Sequence, residues 1–147
     1  MIARNSNDEK SNDKYLPRKE RVDKKAARLR LPEGISAIGS RQYLLRPEAI
    51  ESIFVLYRIT GDERLREEAW TMFQAITNQT RTEIAFSAID DVSTPNFRKL
   101  DRMESYWMAE TLKYFFLLFS KPDVTSLDRF VFNTEGHPFV VGYDQEE

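Results

Sequence analysis

The stretch LLRPEAIESIFVLYRITGD, residues 44–62, constrains the fold more than any other part of the chain. Ile53, Phe54, Val55, Leu56 and Tyr57 are consecutive apolar residues, so a helix through them is hydrophobic on nearly every side. Such a helix must be covered by its neighbours. Pro47 suits the first turn, where the amide that proline lacks would have had no partner. Gly61 suits the position just past the end. The expected helix runs from about Pro47 to Ile59. Glu48 and Glu51, one turn apart, then share a face at its entrance. Two carboxylates at the entrance of a helix bound for a packed interior raise the question of what they face.

Asp62 is placed to cap a second helix, DERLREEAWTMFQAITNQT, in which Leu65, Ala69, Met72, Phe73 and Ile76 follow the three-four spacing of one buried stripe. The Thr60-Gly61-Asp62 turn is short, which predicts an antiparallel αα-hairpin. Residues 80–101, with Pro95, the Asp90-Asp91 pair and scattered polar residues, read as a long loop. A third helix is expected over MESYWMAETLKYFFLLFS, 103–120, ending before Pro122. RFVFNTEGHPFVV has the β-branched and aromatic content of a short strand or extended segment. The fold class read from this pattern is all-α, built from αα-hairpins with a short C-terminal β segment.

A chain of 147 residues can hold one domain with a real core. Its net charge of −2 argues neither for nucleic acid nor for an anionic membrane surface. Residues 1–35 nevertheless carry ten Lys or Arg against six Asp or Glu, and the rest carries twelve against eighteen. That first stretch is expected to be a flexible lead-in, because it cannot bury enough apolar surface to offset the entropy of ordering. Its basic run, Lys19 to Arg30, has interspersed acids and no aromatics, so it reads as a solvated face. Cysteine is absent, which excludes disulfide and thiolate chemistry. The run YFFLLF, 114–119, is too short to cross a bilayer, and the N-terminus has no apolar run of signal-peptide length.

The third helix repeats the anomaly of the first. Glu110 lies among Tyr106, Trp107, Ala109, Tyr114 and Phe115, with Tyr106 four residues before it. A carboxylate beside an aromatic ring suits a sugar cleft, where the ring offers a flat apolar surface and the acid accepts hydroxyl hydrogen bonds. Spacing equally allows a solvated acid with Tyr106 and Trp107 half-buried, the commoner fate of a helical glutamate.

Taken together, LLRPEAIES, MESYWMAETLKYFFLLF and FNTEGHPF resemble the C-terminal part of the class I α-1,2-mannosidases, glycoside hydrolase family 47. The three motifs occur in the family's order across roughly residues 40–140. The resemblance implies part of an (αα)7 barrel, with residues 36–147 as the C-terminal portion of its catalytic domain. Inner helices of that barrel present acids to a central cavity with Ca2+ at its floor. The implied reaction removes terminal α-1,2-linked mannose from high-mannose N-glycans with inversion, which needs one acid and one base.

On this sequence the resemblance makes Glu48 the catalytic base, and Arg46, Tyr106 and Glu110 substrate-binding. It makes Thr134 a direct calcium ligand through its carbonyl and hydroxyl, with Glu51, Glu110 and Glu135 acting through water. Gly136 stands where alanine is more usual, with little consequence expected. His137, the lone histidine, reads as a turn residue before Pro138. The family's other catalytic carboxylates lie upstream of the RPE motif, so the chain is expected to be a fragment without hydrolytic activity of its own. The implied location is the secretory pathway, which would suit the sequon at Asn78. The competing reading is a non-catalytic glycan-binding or interaction protein on the same fold.

Overall fold

The computed structural model describes residues 15–32, 35 and 37–142. The chain divides into two units, one of Met1–Arg41 with Ser93–Pro95 and one of Gln42–Val92 with Asn96–Glu147. In the first, Arg18–Leu29 forms helix α1, none of whose residues is buried. Its sequence is rich in good helix formers, and Glu20 pairs with Lys24 one turn on at 3.7 Å. A helix therefore forms within the stretch that the sequence reading expected to be a flexible lead-in. Residues 1–14 of the expected lead-in lie outside the described residues.

The second unit holds α2 (Glu48–Thr60), α3 (Glu63–Thr80), α4 (Leu112–Phe119) and a hairpin of β1 (Phe130–Phe132) with β2 (Pro138–Val140). Pro47 sits just before α2, and Gly61, at φ 66°, donates its N–H to the Tyr57 carbonyl at 2.8 Å. The Asp62 carboxylate accepts from the Arg64 amide at 3.1 Å and starts α3. These signals are where the sequence put them, and α2 and α3 pack as the expected hairpin. The strands pair antiparallel, with Val131 opposite Phe139.

Helix α4 covers the apolar face of α2. Ile50, Phe54, Ala69, Tyr114, Phe115, Leu117 and Leu118 form the buried core, with Met72, Phe73, Ile76 and Phe132 packed against it. At its centre the rings of Phe54, Tyr114 and Phe132 lie 5.6–5.9 Å apart, joining α2, α4 and β1. Trp70, Phe73, Leu112, Phe115, Phe116 and Phe119 line an apolar groove of about 310 Å³ between α3 and α4. Among the described residues no helix is long and apolar enough to cross a membrane.

Residues 81–101 form no helix, but they are not a solvated loop. Ser87, Ala88 and Ile89 are buried. Isolated bridges pair Ile89 with Tyr43 and with Lys99. The same pairing shortens the third helix. The Ala88 amide donates to the Arg102 carbonyl, and the Leu100 amide to the Ala88 carbonyl, both at 2.8 Å. The chain is thus tied to Ala88 as far as residue 102, with Asp101 left-handed at φ 50°, and its helix begins at Trp107 rather than at 103.

Phe54 is fully buried at the meeting point of three elements. Phe54→Ala should lower unfolding free energy by about 3–5 kcal/mol in urea denaturation. A loss below about 1 kcal/mol would mean that the ring cluster does not organise the core.

Candidate active site

The entrance of α2 is aimed by a strained residue. Leu45 is fully buried and has φ 64°, a left-handed conformation that costs a non-glycine residue about 1–2 kcal/mol. Two hydroxyls hold the chain there. Thr111 Oγ1 donates to the Leu45 carbonyl at 2.7 Å, and Tyr106 Oη donates to the Leu44 carbonyl at 2.9 Å. Of the next residues, Arg46 and Glu48 are exposed, while Pro47 between them is buried. The Arg46 guanidinium lies 3.5 Å from Glu48 Oε1, with both side chains more than half exposed. It also rests over the Tyr106 ring, 5.5 Å from the centroid, a cation–π geometry.

Glu110 sits in an unusual turn. Residues Trp107–Thr111 form one π-helical turn, in which the Leu112 amide reaches back five residues to the Trp107 carbonyl. Such wide turns recur at functional sites, because they let one helix present residues in an irregular order. Glu110 is only 7% exposed, which overturns the solvated alternative, and Trp107 is fully buried. Burial holds the Glu110 carboxyl above the usual carboxylate range. The neighbouring charges of Glu135, Glu48 and Glu51 push the same way, and Lys113 opposes them. Carboxylates from α2 and the β-hairpin thus act on the one that the π-turn carries.

Two tyrosines frame this cluster. Tyr114 Oη donates to Glu51 Oε1 at 3.2 Å. Burial pushes the Tyr114 phenol up, and Glu51 and Glu110 add to the shift. Tyr43 is pushed up to about 12, first by burial and then by Tyr106 and Glu48. Its hydroxyl is buried and has no hydrogen-bond partner among the described residues.

The third contribution comes from the β1–β2 turn. Asn133 Oδ1 accepts from the amides of Glu135 at 3.0 Å and His137 at 2.8 Å, which fixes the turn's shape. Thr134, Glu135 and His137 are exposed. Gly136 is buried at φ 66°, and a Cβ there would stand 3.2 Å from Glu110 Cγ. The expectation that glycine at 136 has little consequence needs correction, since the bare backbone lets the turn lie directly against Glu110. The Gly136 carbonyl in turn accepts from Lys113 Nζ at 2.6 Å.

The charges of Glu48, Glu51 and Glu135 thus all act on Glu110, and the Arg46 guanidinium lies over the Tyr106 ring. Thr134 stands beside Glu135 in the same turn. Among the described residues no three His, Asp or Glu side chains are close enough to hold a metal ion by themselves. Sequence reasoning missed Tyr43, Thr111, Lys113 and Tyr114 as parts of the site. Tyr114 follows Glu110 by four residues, a spacing that could have placed it on the acid's face.

The raised Glu110 carboxyl has a consequence for stability. Its folded state binds the proton more tightly than the unfolded chain does. The stability it contributes is full below the unfolded value near 4.5 and is lost as pH rises through the higher folded value. In metal-free buffer at pH 7, Glu110→Gln should therefore unfold at higher denaturant than the native protein. The gain should vanish near pH 4. A destabilised Glu110→Gln at pH 7 would contradict this.

Comparison with known proteins places this chain in a family. The profile "Glycosyl hydrolase family 47" matches residues 2–141, reaching into the polar N-terminal stretch that the three motifs did not cover. The chain is 45% identical over 104 residues to a mannosyl-oligosaccharide 1,2-alpha-mannosidase, MNS3, of Arabidopsis thaliana, covering 70% of this chain and 17% of that protein. It is 46% identical over 106 residues to the human endoplasmic reticulum mannosyl-oligosaccharide 1,2-alpha-mannosidase, covering 70% of this chain and 15% of that protein. It therefore spans only a small part of each relative's length. Its fold is similar to a solved alpha-1,2-mannosidase from Trichoderma reesei, with a TM-score of 0.68 and 40% identity over 71% of this chain and 23% of that one. A profile match over nearly the whole chain, on a fold shared at this identity, means that the chain belongs to glycosyl hydrolase family 47.

Proposed function

We propose that this carboxylate cluster is one side of the active site of a calcium-dependent, inverting α-1,2-mannosidase acting on high-mannose N-glycans in the lumen of the secretory pathway. In this reading α2, α3 and α4 are part of an (αα)7 barrel. The observation that carries it is the convergence of Glu48, Glu51 and Glu135 on the buried Glu110. Family membership supports mannose as the sugar.

The donor chemistry fits calcium, a hard cation that takes oxygen ligands in flexible number. Carboxylates crowd here with the single opposing charge of Lys113 among the groups acting on Glu110. Thr134 would hold the ion through its carbonyl and hydroxyl, and Glu51, Glu110 and Glu135 would act through water. When bound, the ion supplies fixed positive charge that orients sugar hydroxyls.

The remaining roles fall to this chain's side chains. Glu48, exposed at the entrance of α2, takes the proton from the attacking water. Inversion leaves room for that water between the carboxylate and the sugar. Arg46 steadies the Glu48 carboxylate from 3.5 Å and offers its remaining donors to substrate. The Tyr106 ring gives the sugar a flat apolar face. The proton donor to the leaving group has no counterpart among these residues, so the reading assigns this chain the base side of the site.

In an active enzyme containing this chain, Glu48→Gln should lower kcat by about 10²–10⁴-fold, the usual worth of a general base, with near-UV circular dichroism unchanged. Proton NMR of the first mannose released by the native enzyme should show inverted anomeric configuration. Near-normal turnover of Glu48→Gln would refute the role given to Glu48, and retention would refute the mechanism.

A further inference from the structure

Lys113 is half-buried in the first turn of α4, three residues after Glu110. Its ammonium donates to the Gly136 carbonyl at 2.6 Å, a short charge-assisted bond. Gly136 closes the turn that carries Thr134 and Glu135. The bonds inside that turn run from Asn133 to Glu135, Gly136 and His137, so they set its shape but not its distance from α4. The strands behind it are three residues each, and a two-stranded hairpin of that length is marginal without support. Phe132 anchors the base of the hairpin in the core, but its tip is exposed at Thr134 and Glu135. At that tip a Cβ on Gly136 would stand 3.2 Å from Glu110 Cγ, and the lysine bond joins the same turn to α4.

We infer that Lys113 is a positioning residue: its ammonium clamps the Thr134–Glu135 turn onto α4 and so sets the gap between that turn and Glu110. The part of this inference that concerns calcium rests on the function proposed above, whereas the clamp itself does not. A lysine suits the task because its charge is compact and its stem flexible enough to meet one carbonyl. An arginine can still reach with a charged donor, and a methionine keeps the stem without the charge.

The test compares the native protein with Lys113→Met and Lys113→Arg, first without metal. Hydrogen exchange read by mass spectrometry reports the amides of residues 133–137, two of which are bonded to Asn133 Oδ1. Lys113→Met should speed exchange in the turn about tenfold, as loss of a bond to a charged donor implies, while α2 and α4 stay protected. Calcium titrated into the same samples should bind about tenfold more weakly to Lys113→Met. Lys113→Arg should recover most of both effects.

Unchanged exchange in the turn of Lys113→Met would overturn the clamp. Faster exchange throughout α2 and α4 would also overturn it, because the lysine would then merely support the fold. Faster turn exchange with native calcium affinity would sink the link to the ion. Faster turn exchange in a protein that binds no calcium even in native form would uphold the clamp and defeat the calcium reading instead.

Discussion

The site depends on one side chain that belongs both to it and to the core. The Tyr114 ring is packed between Phe54 and Phe132, so three structural elements hold it in place. Its hydroxyl is nevertheless a polar group that cannot be left dry without a cost of about 1–3 kcal/mol, and Glu51 accepts its hydrogen. Glu51 is therefore aimed by the packing of α2 on α4, not by its own helix alone. The carboxylate face of α2 and the apolar face of the same helix are fixed by one contact. Core and site cannot be repacked separately.

Around that contact the chain stores tension. Leu45 is left-handed and buried, pinned by Thr111 and Tyr106. Glu110 is buried against like charges. Backbone strain and crowded charge each destabilise a fold, and proteins keep them where function gains from the geometry. The strained turn presents Arg46 and Glu48 outward, and the crowded acids make an electronegative place beside them. A cation and the hydroxyls of a sugar are ligands that would relieve the second.

How legible this was depended on whether the signal was local. Pro47, Gly61 and Asp62 act through their own backbone, so the ends of α2 and the start of α3 could be read directly. The stripe of Ala69, Phe73 and Ile76 likewise follows from helical period. The start of the third helix could not be read, because Leu100 and Arg102 are hydrogen-bonded to Ala88, a partner distant in sequence. Nothing in WMAET announces a π-turn, since its wide bonds answer to packing around Trp107 and Glu110. Helix α1 was missed for the opposite reason. Its local propensity sufficed for a helix, whereas the sequence argument asked for burial, and α1 buries nothing. At Gly136 the decisive fact was the approach of Glu110, which only the folded chain brings there.

These residues belong to a family whose relatives are far longer than the stretch they match, so the claim concerns one side of a site. Its centre is that Thr134 and the acids around Glu110 together form a calcium seat. The most direct measurement is an anomalous difference map from a crystal of the protein grown with calcium. The account predicts one peak at about 2.3–2.6 Å from the carbonyl and hydroxyl oxygens of Thr134, surrounded by waters that bridge to Glu51, Glu110 and Glu135. A calcium-saturated crystal with no peak at Thr134, or with its peak elsewhere, would contradict it.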